Sequence, residues 1–334
     1  MKFSRFALAA VAALALSAQA RAATVIKLAT LAPEGSAWMN IMGRLAKDVE
    51  SSTGGEVKFK VYANGVQGDE KDVVRKIRMG QLHAGGFTGV GIGEISPAVR
   101  VLDAPFMFKS PEEIDYVYKT FDGELRKELL DKGYVLLGWT EVGLVYLYTN
   151  APIRQPSDLK AVKMWMWEGD PVAEAALKAM NIAPVSLSVT DVMSSLQTGM
   201  INAVYGSPLS VIAMQWQTRT KYMFSLAITN ASGALLVSKK QFDQISPDNQ
   251  KILLDLSSKY MRELTLRTRE DNRKAVETLR KDGFTVTDPA SPAVAEQFAQ
   301  AGVTARRSLV GRLYPASLFD RVEKAVQDFR KAKK

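Results

Sequence analysis

Two tryptophans two residues apart, in Lys163-Met164-Trp165-Met166-Trp167-Glu168-Gly169-Asp170-Pro171, are the residues of this chain best suited to hold another molecule. An extended backbone turns Trp165 and Trp167 to the same side. Flat rings with indole N–H donors suit an aromatic-walled pocket, and packing in the core is the competing use of both. The segment runs into Asp170-Pro171, a predicted helix start. In open α/β sheets, ligands sit beyond the carboxyl ends of strands, close to such starts. That rule puts Trp167, Glu168 and Asp170 at a binding edge. Tyr205-Gly206-Ser207-Pro208-Leu209 likewise ends a strand at a turn. Thr30, Pro33 and Trp38 hold the equivalent place after the first strand, and Phe87, Thr88 and Gly89 after another. Several strand ends are therefore expected to converge on one cleft.

The residues of common catalytic chemistry are missing. His83 is the sole histidine, read as a surface residue near a helix end. There is no G-x-S-x-G elbow, no H-E-x-x-H, and no histidine pair for zinc. Gly89-Val90-Gly91-Ile92-Gly93 lacks the spacing of a nucleotide loop. With no cysteine in 334 residues there is no disulfide, thiolate metal site or Cys nucleophile. Carboxylates are plentiful, but nothing marks a catalytic pair. No enzyme activity, cofactor or metal is expected.

Positioning such a cleft takes alternating strands and helices. Thr24–Thr30 and Glu56–Ala63 read as strands, with a helix over Ala37–Ser51 whose Met39, Met42, Leu45, Ala46 and Val49 share a face. A helix over Asp69–Met79 follows, then a small loose strand or loop over 85–91. Helices are expected in 111–132, strands over 134–139 and 144–148, and a strand over 162–167. A helix from Asp170-Pro171, a strand over 185–187, a helix from Thr190-Asp191 to Gly199, and strands over 201–205 and 233–238 come next. A long helix over 247–281, a strand over 284–287 and two helices complete the chain. This order predicts α/β lobes with mainly parallel sheets.

The N-terminus reads as a cleavable export signal: Lys2 and Arg5, an apolar run from Phe6 to Leu16, then A-x-A-like sites ending at Ala20 or Ala22. The run is shorter than the ~20 residues a bilayer core needs. Without a cysteine, a lipid anchor on an N-terminal Cys is excluded, so a soluble periplasmic chain is expected. The net charge of +9 is spread out, and the basic stretch Arg262–Lys281 is interleaved with acids, as in a solvated helix face. A nucleic-acid partner is not expected.

The ordered set of segments resembles the solute-binding component of tripartite ATP-independent periplasmic (TRAP) transporters, of the DctP type. The similar segments are the opening IKLATLAPEGSAWMNIMGRLAKDVESSTGGEVKFKVYANGVQGDEKDVVRKIRMGQLHAG, then VLDAPFMF at 101–108 and DLKAVKMW. PVSLSVTDVMSSLQTG, INAVYGSPL and VSKKQFDQISPDNQKILLDLS follow in order. The resemblance implies a two-lobed periplasmic binding protein of α/β class, type II-like, with crossing strands and a long interlobe helix. Its lobes would be 24–145 plus 233–270 and 146–232 plus 271–330. It implies capture of a small organic ligand in the interlobe cleft and delivery to membrane subunits of a TRAP transporter, driven by an ion gradient. Closure would be a population shift toward a ligand-bound closed state, and a monomer is the default. A ligand-sensing or lipid- or ligand-chaperone protein of the same fold is the alternative.

Departures from the family pattern bear on the ligand. Family members typically carry an Arg that forks onto a substrate carboxylate; Trp165 stands at that position here. Where a second Arg is common, Gly143–Asn150 reads GLVYLYTN, with Val145 or Tyr146 in its place. Ser207 replaces the family's Asn. The expected ligand is therefore neutral, aromatic or hydrophobic, stacked on Trp165 or Trp167. Polar contacts would come from Glu70, Glu168, Tyr205, Ser207 and Gln215. Trp38, Phe87, Thr88 and Tyr146 complete the expected site.

Overall fold

A computed structural model describes residues 23–333, so the expected export signal, 1–22, lies outside it. The first lobe grows from Thr24–Thr30 (β1), which pairs in parallel with Val57–Tyr62 (β2) and Ala84–Thr88 (β3). Ala37–Ser52 (α1) and Glu70–Arg78 (α2) make the crossovers. Their starts are set by capping: Ser36 Oγ accepts from Met39 N–H at 3.3 Å, and Asp69 with Asp72 closes a reciprocal box on α2. Gly89–Ile95 (α3) follows β3 directly, with Thr88 Oγ1 accepting from Val90 N–H at 3.2 Å. The expected loose strand over 85–91 is thus half strand and half helix. Its glycines permit this. A methyl at Gly91 would meet Phe87, and one at Gly89 would lie 1.8 Å from Asp103 Oδ2.

Pro111–Asp131 (α4) leads to Tyr134–Thr149 (β4), one 16-residue strand where two were expected. Thr140, Glu141 and Gly143, in the stretch read as a break, stay paired with β9, and the register shifts at Leu136/Gly138 and at Glu141/Gly143. The second lobe carries Trp165–Trp167 (β5), Pro171–Ala179 (α5), Val185–Leu187 (β6) and Val192–Thr198 (α6). Ala203–Gly206 (β7), Pro208–Ala213 (α7) and Tyr222–Phe224 (β8) follow. Thr229–Ser238 (β9) returns to the first lobe. Lys239–Phe242 (α8), Pro247–Lys281 (α9), Thr285–Thr287 (β10), Pro292–Ser308 (α10) and Ala316–Ala332 (α11) end the chain.

The main sheet has the order β10-β8-β4-β9-β3-β1-β2, with β7 also on β4, and β5 pairs with β6 separately. It is mixed, which corrects the expectation of mainly parallel sheets. β3–β9, β4–β9, β4–β7 and β4–β8 are antiparallel. The reason is topological: β4 leaves the first lobe and β9 comes back, and strands travelling opposite ways beside each other pair antiparallel.

Burial follows the strands. Ala234 and Leu236 of β9 join one core cluster, while Leu235 and Val237 join the cluster on the other face. A strand buried on both faces reads as an unbroken apolar run, as GALLV does. The 35 residues of α9 span about 52 Å. Leu253, Met261 and Leu264 pack in the first lobe, and Leu279 packs in the second. Phe298 of α10 lies with Leu177 of α5 in the second lobe. Phe319 and Val322 of α11 pack instead with Val117 and Phe121 of α4. The last helix therefore sits on the first lobe, whereas 271–330 were expected together in the second.

Candidate ligand-binding cleft

A cavity of about 410 Å3 opens between the lobes, where the ends of β1, β3, β5 and β7 meet the crossing strands. Its aromatic wall comes from the second lobe. Trp165 is 1% exposed, stacks on Tyr205 at 4.8 Å and 18°, and meets Trp216 edge-on at 5.3 Å. Its indole N–H donates to Leu187 O at 3.0 Å. The Trp167 ring lies 5.9 Å from that of Trp165, on the side that strand alternation predicts. Tyr205 Oη accepts from Trp167 N–H at 3.0 Å, which fixes strand to strand. With their polar atoms bound to protein, the indoles can meet a ligand only through ring surface, which Trp167 retains at 8% exposed while Trp165 is packed behind it. Trp38 packs on Gly86 across the cleft, where a methyl would come within 2.3 Å of the ring.

Glu70 begins α2 and is 2% exposed. Its carboxylate accepts from Thr88 N–H at 2.7 Å, Thr88 Oγ1–H at 2.9 Å and Gly91 N–H at 2.7 Å. Burial pushes its pKa up to about 7, against those three bonds, which favour the ionised form, and with Asp69 adding repulsion. Asp69 faces the other way. It accepts from Ser188 Oγ at 2.7 Å and from the Trp167 indole N–H, both in the second lobe.

Arg100 is the one cation bordering the cavity among the described residues. It is 3% exposed and donates to Asp103 and to Asp170, each at 2.8 Å. Asp170 also caps α5, accepting from Val172 N–H at 3.0 Å. Asp103 accepts from Ser232 N–H at 2.7 Å, and burial lifts its pKa above the ordinary value although Arg100 pulls it down. The other bordering acids, Glu141 and Asp271, pair with Arg269 and Arg267. The one cation bordering the cavity among the described residues is thus already held by carboxylates.

Of the residues expected at the site, the structure brings Trp38, Glu70, Phe87, Thr88, Trp165, Trp167, Tyr205 and Ser207 to the cavity. Ser207 is fully buried, and its hydroxyl accepts from Ser210 N–H at 3.1 Å as the cap of α7. Glu168 and Gln215 are exposed and do not border the cavity. Glu168 follows the end of β5 at a turn, and Gln215 adopts φ 60° in the loop after α7. Tyr146 packs in the second-lobe core, and its neighbour Val145 borders the cavity. The bulge at Glu141/Gly143 sets which of the two faces inward. Sequence reasoning missed Arg100, Asp103, Thr140 and Asn230, because no local pattern marks a residue whose neighbours come from the opposite lobe. His83 lies half-buried away from the cavity, its Nδ1 2.8 Å from Val25 O.

No group of three or more metal-binding side chains occurs among the described residues, and none of their helices is long and apolar enough to cross a membrane. Residues 28–309 match the family described as bacterial extracellular solute-binding protein, family 7, or DctP. The chain belongs to that family. Among DctP relatives, a solute-binding protein of Verminephrobacter eiseniae is 30% identical over 250 residues, 73% of each chain. The 2,3-diketo-L-gulonate-binding periplasmic protein of Escherichia coli strain K12 is 26% identical, over 71% of this chain and 73% of its own. The fold is that of a Bordetella pertussis extracytoplasmic solute receptor binding pyroglutamic acid, with TM-score 0.83 and 20% identity over 91% of this chain and 100% of that one. A TRAP periplasmic solute-binding protein from Polaromonas bound to D-erythronate gives TM-score 0.82 and 20% identity over 90% and 98%. The DctP fold is a two-lobed mixed α/β architecture, and the family's members are binding proteins.

Proposed function

We propose that this DctP-type chain is a periplasmic solute receptor, exported through a cleaved signal. It captures a small organic ligand between its lobes and delivers it to the membrane subunits of a TRAP-type secondary transporter. Its ligand is not a simple carboxylate held by an arginine fork. One observation carries the second statement: Arg100, the cation at the cavity, is already shared by Asp103 and Asp170. An incoming carboxylate would have to break a buried ion triad to reach it, leaving a desolvated acid behind. The position where the family's fork usually stands is filled by Trp165, fully enclosed by aromatic neighbours.

Similar folds were solved with pyroglutamic acid, D-erythronate and D-glucuronate bound. Those acids supply the test. Mass spectrometry of the chain purified from native periplasm identifies its ligand, and calorimetry with the same acids measures the competing class. A neutral or aromatic ligand, lost in Trp165→Ala, is expected. Nanomolar binding of a simple organic acid, indifferent to Trp165→Ala, would sink the proposal.

A further inference from the structure

Asn230 lies on β9 at the point where the strand passes between the lobes. The residue borders the cavity and its side chain is fully buried, yet neither Oδ1 nor Nδ2 has a hydrogen-bond partner in the protein. Thr140, on the paired strand β4, is 6% exposed, borders the same cavity, and has an unpartnered Oγ1. Buried polar side chains are overwhelmingly paired, and an unmade bond costs the full desolvation of the group. In the Asn230 amide a donor and an acceptor stand side by side unpaired. Exchanging Oδ1 and Nδ2 changes nothing, since both ends lack a partner.

We propose that Asn230 is a specificity-determining contact for a neutral amide-type group on the ligand: a carboxamide, lactam, cyclic imide or ureide. The proposal rests on the reading above, that no arginine holds the ligand. The chemistry is complementary. An asparagine amide offers one acceptor beside a donor, and an amide-type group answers with a donor beside an acceptor. A carboxylate offers acceptors only, so one of its oxygens would face Asn230 Oδ1. The remaining charges add to the discrimination. Arg100 is spent on two acids, and among the described residues no ion pair reaches Glu70. The Trp167 ring, backed by Trp165, then takes the apolar body of the same ligand.

The test uses the purified full chain and matched probes, benzamide against benzoate and nicotinamide against nicotinate, in wild type, Asn230→Leu and Thr140→Val. Calorimetry is expected to show each amide binding at least about tenfold tighter than its acid in wild type. Asn230→Leu should abolish that preference while the melting temperature of the ligand-free protein holds or rises, because leucine keeps the branched outline and removes two unpaired polar atoms. Thr140→Val, three register positions from Asn230, should leave the preference in place without lowering the melting temperature. An amide preference that survives Asn230→Leu overturns the proposal and leaves the arginine-free reading standing. Acids binding as tightly as amides in wild type overturn both. Absence of binding by all four probes at millimolar concentration, or a lower melting temperature in Asn230→Leu, overturns the proposal alone.

Discussion

The Trp167 indole N–H donates to both carboxylate oxygens of Asp69, at 3.1 and 2.9 Å, and the two residues come from opposite sides of the cleft. Ser188 Oγ and Val189 N–H, also from the second lobe, reach the same carboxylate at 2.7 and 3.3 Å. Asp69 meanwhile accepts from Glu70 N–H at 2.6 Å, so it cannot swing away without uncapping α2. These bonds exist only when the lobes are together. Trp167→Phe keeps the ring and removes the donor. Ligand off-rates should rise about tenfold, in line with the loss of a charge-assisted bond, while the melting temperature of the ligand-free protein changes little. Stopped-flow release checks this; an unchanged off-rate would show that the clasp contributes nothing to closure.

The Arg100 triad should behave as a buried network. Arg100→Met leaves Asp103 and Asp170 facing each other without their cation, both less than a tenth exposed. A loss of roughly 3–5 kcal/mol is expected. Added salt should not change the difference, since screening acts weakly on buried charges. Urea unfolding at low and high ionic strength measures both. A loss below about 1 kcal/mol would mean that the triad is wetter than its burial indicates.

Glu70 predicts a pH dependence with a definite sign. Its pKa is raised from 4.5 to about 7 in the fold. Between those values the native chain holds a proton that the unfolded chain has released, so stability falls as pH rises through the window, by roughly 3 kcal/mol in total. Glu70→Gln should remove that slope. It should not recover all the stability, because an amide nitrogen facing Gly91 N–H cannot accept from it. Denaturation midpoints from pH 4.5 to 7 provide the check, and parallel curves for both proteins would refute the assignment.

Two glycines should respond in opposite directions. Gly89→Ala places a methyl 1.8 Å from Asp103 Oδ2, a buried atom held by Arg100. The clash cannot be relieved without moving the triad, and about 2 kcal/mol or more should be lost. Gly43 lies in α1, exposed and with nothing within 4 Å of an added methyl. Gly43→Ala should stabilise by about 0.5–1 kcal/mol. Thermal melts of the pair test whether crowding at Asp103, not loss of glycine itself, controls the outcome.

Periodicity and capping made much of this fold legible from sequence. The long helix over 247–281 and the strand over 24–30 have the same bounds in sequence and structure. What periodicity could not show was the direction of pairing. β3 and β9 read as separate strands, and only the route of the chain makes them antiparallel neighbours. The site divided in the same way. Trp165, Trp167 and Tyr205 were readable because aromatic side chains at strand ends carry a local signal. Asn230 carried none: a lone asparagine in ITNASGALLV looks like a turn residue, and its lack of partners exists only once both lobes surround it. Glu168 and Gln215 showed the converse error, since polar side chains beside a binding strand turned outward.

The placement of α11 has a consequence for how the chain acquires its shape. The core that Phe121 and Leu136 help to form is closed on one side by Phe319, Val322 and Val326. No continuous stretch from the first half of the chain can therefore bury that apolar surface by itself. Phe121 meets Phe319 and Val322 from far along the chain, so this face of the core closes only through contacts of long sequence separation. Contacts of such separation must close a long loop before they stabilise anything, so the helix that seals this core also places a slow step in its folding.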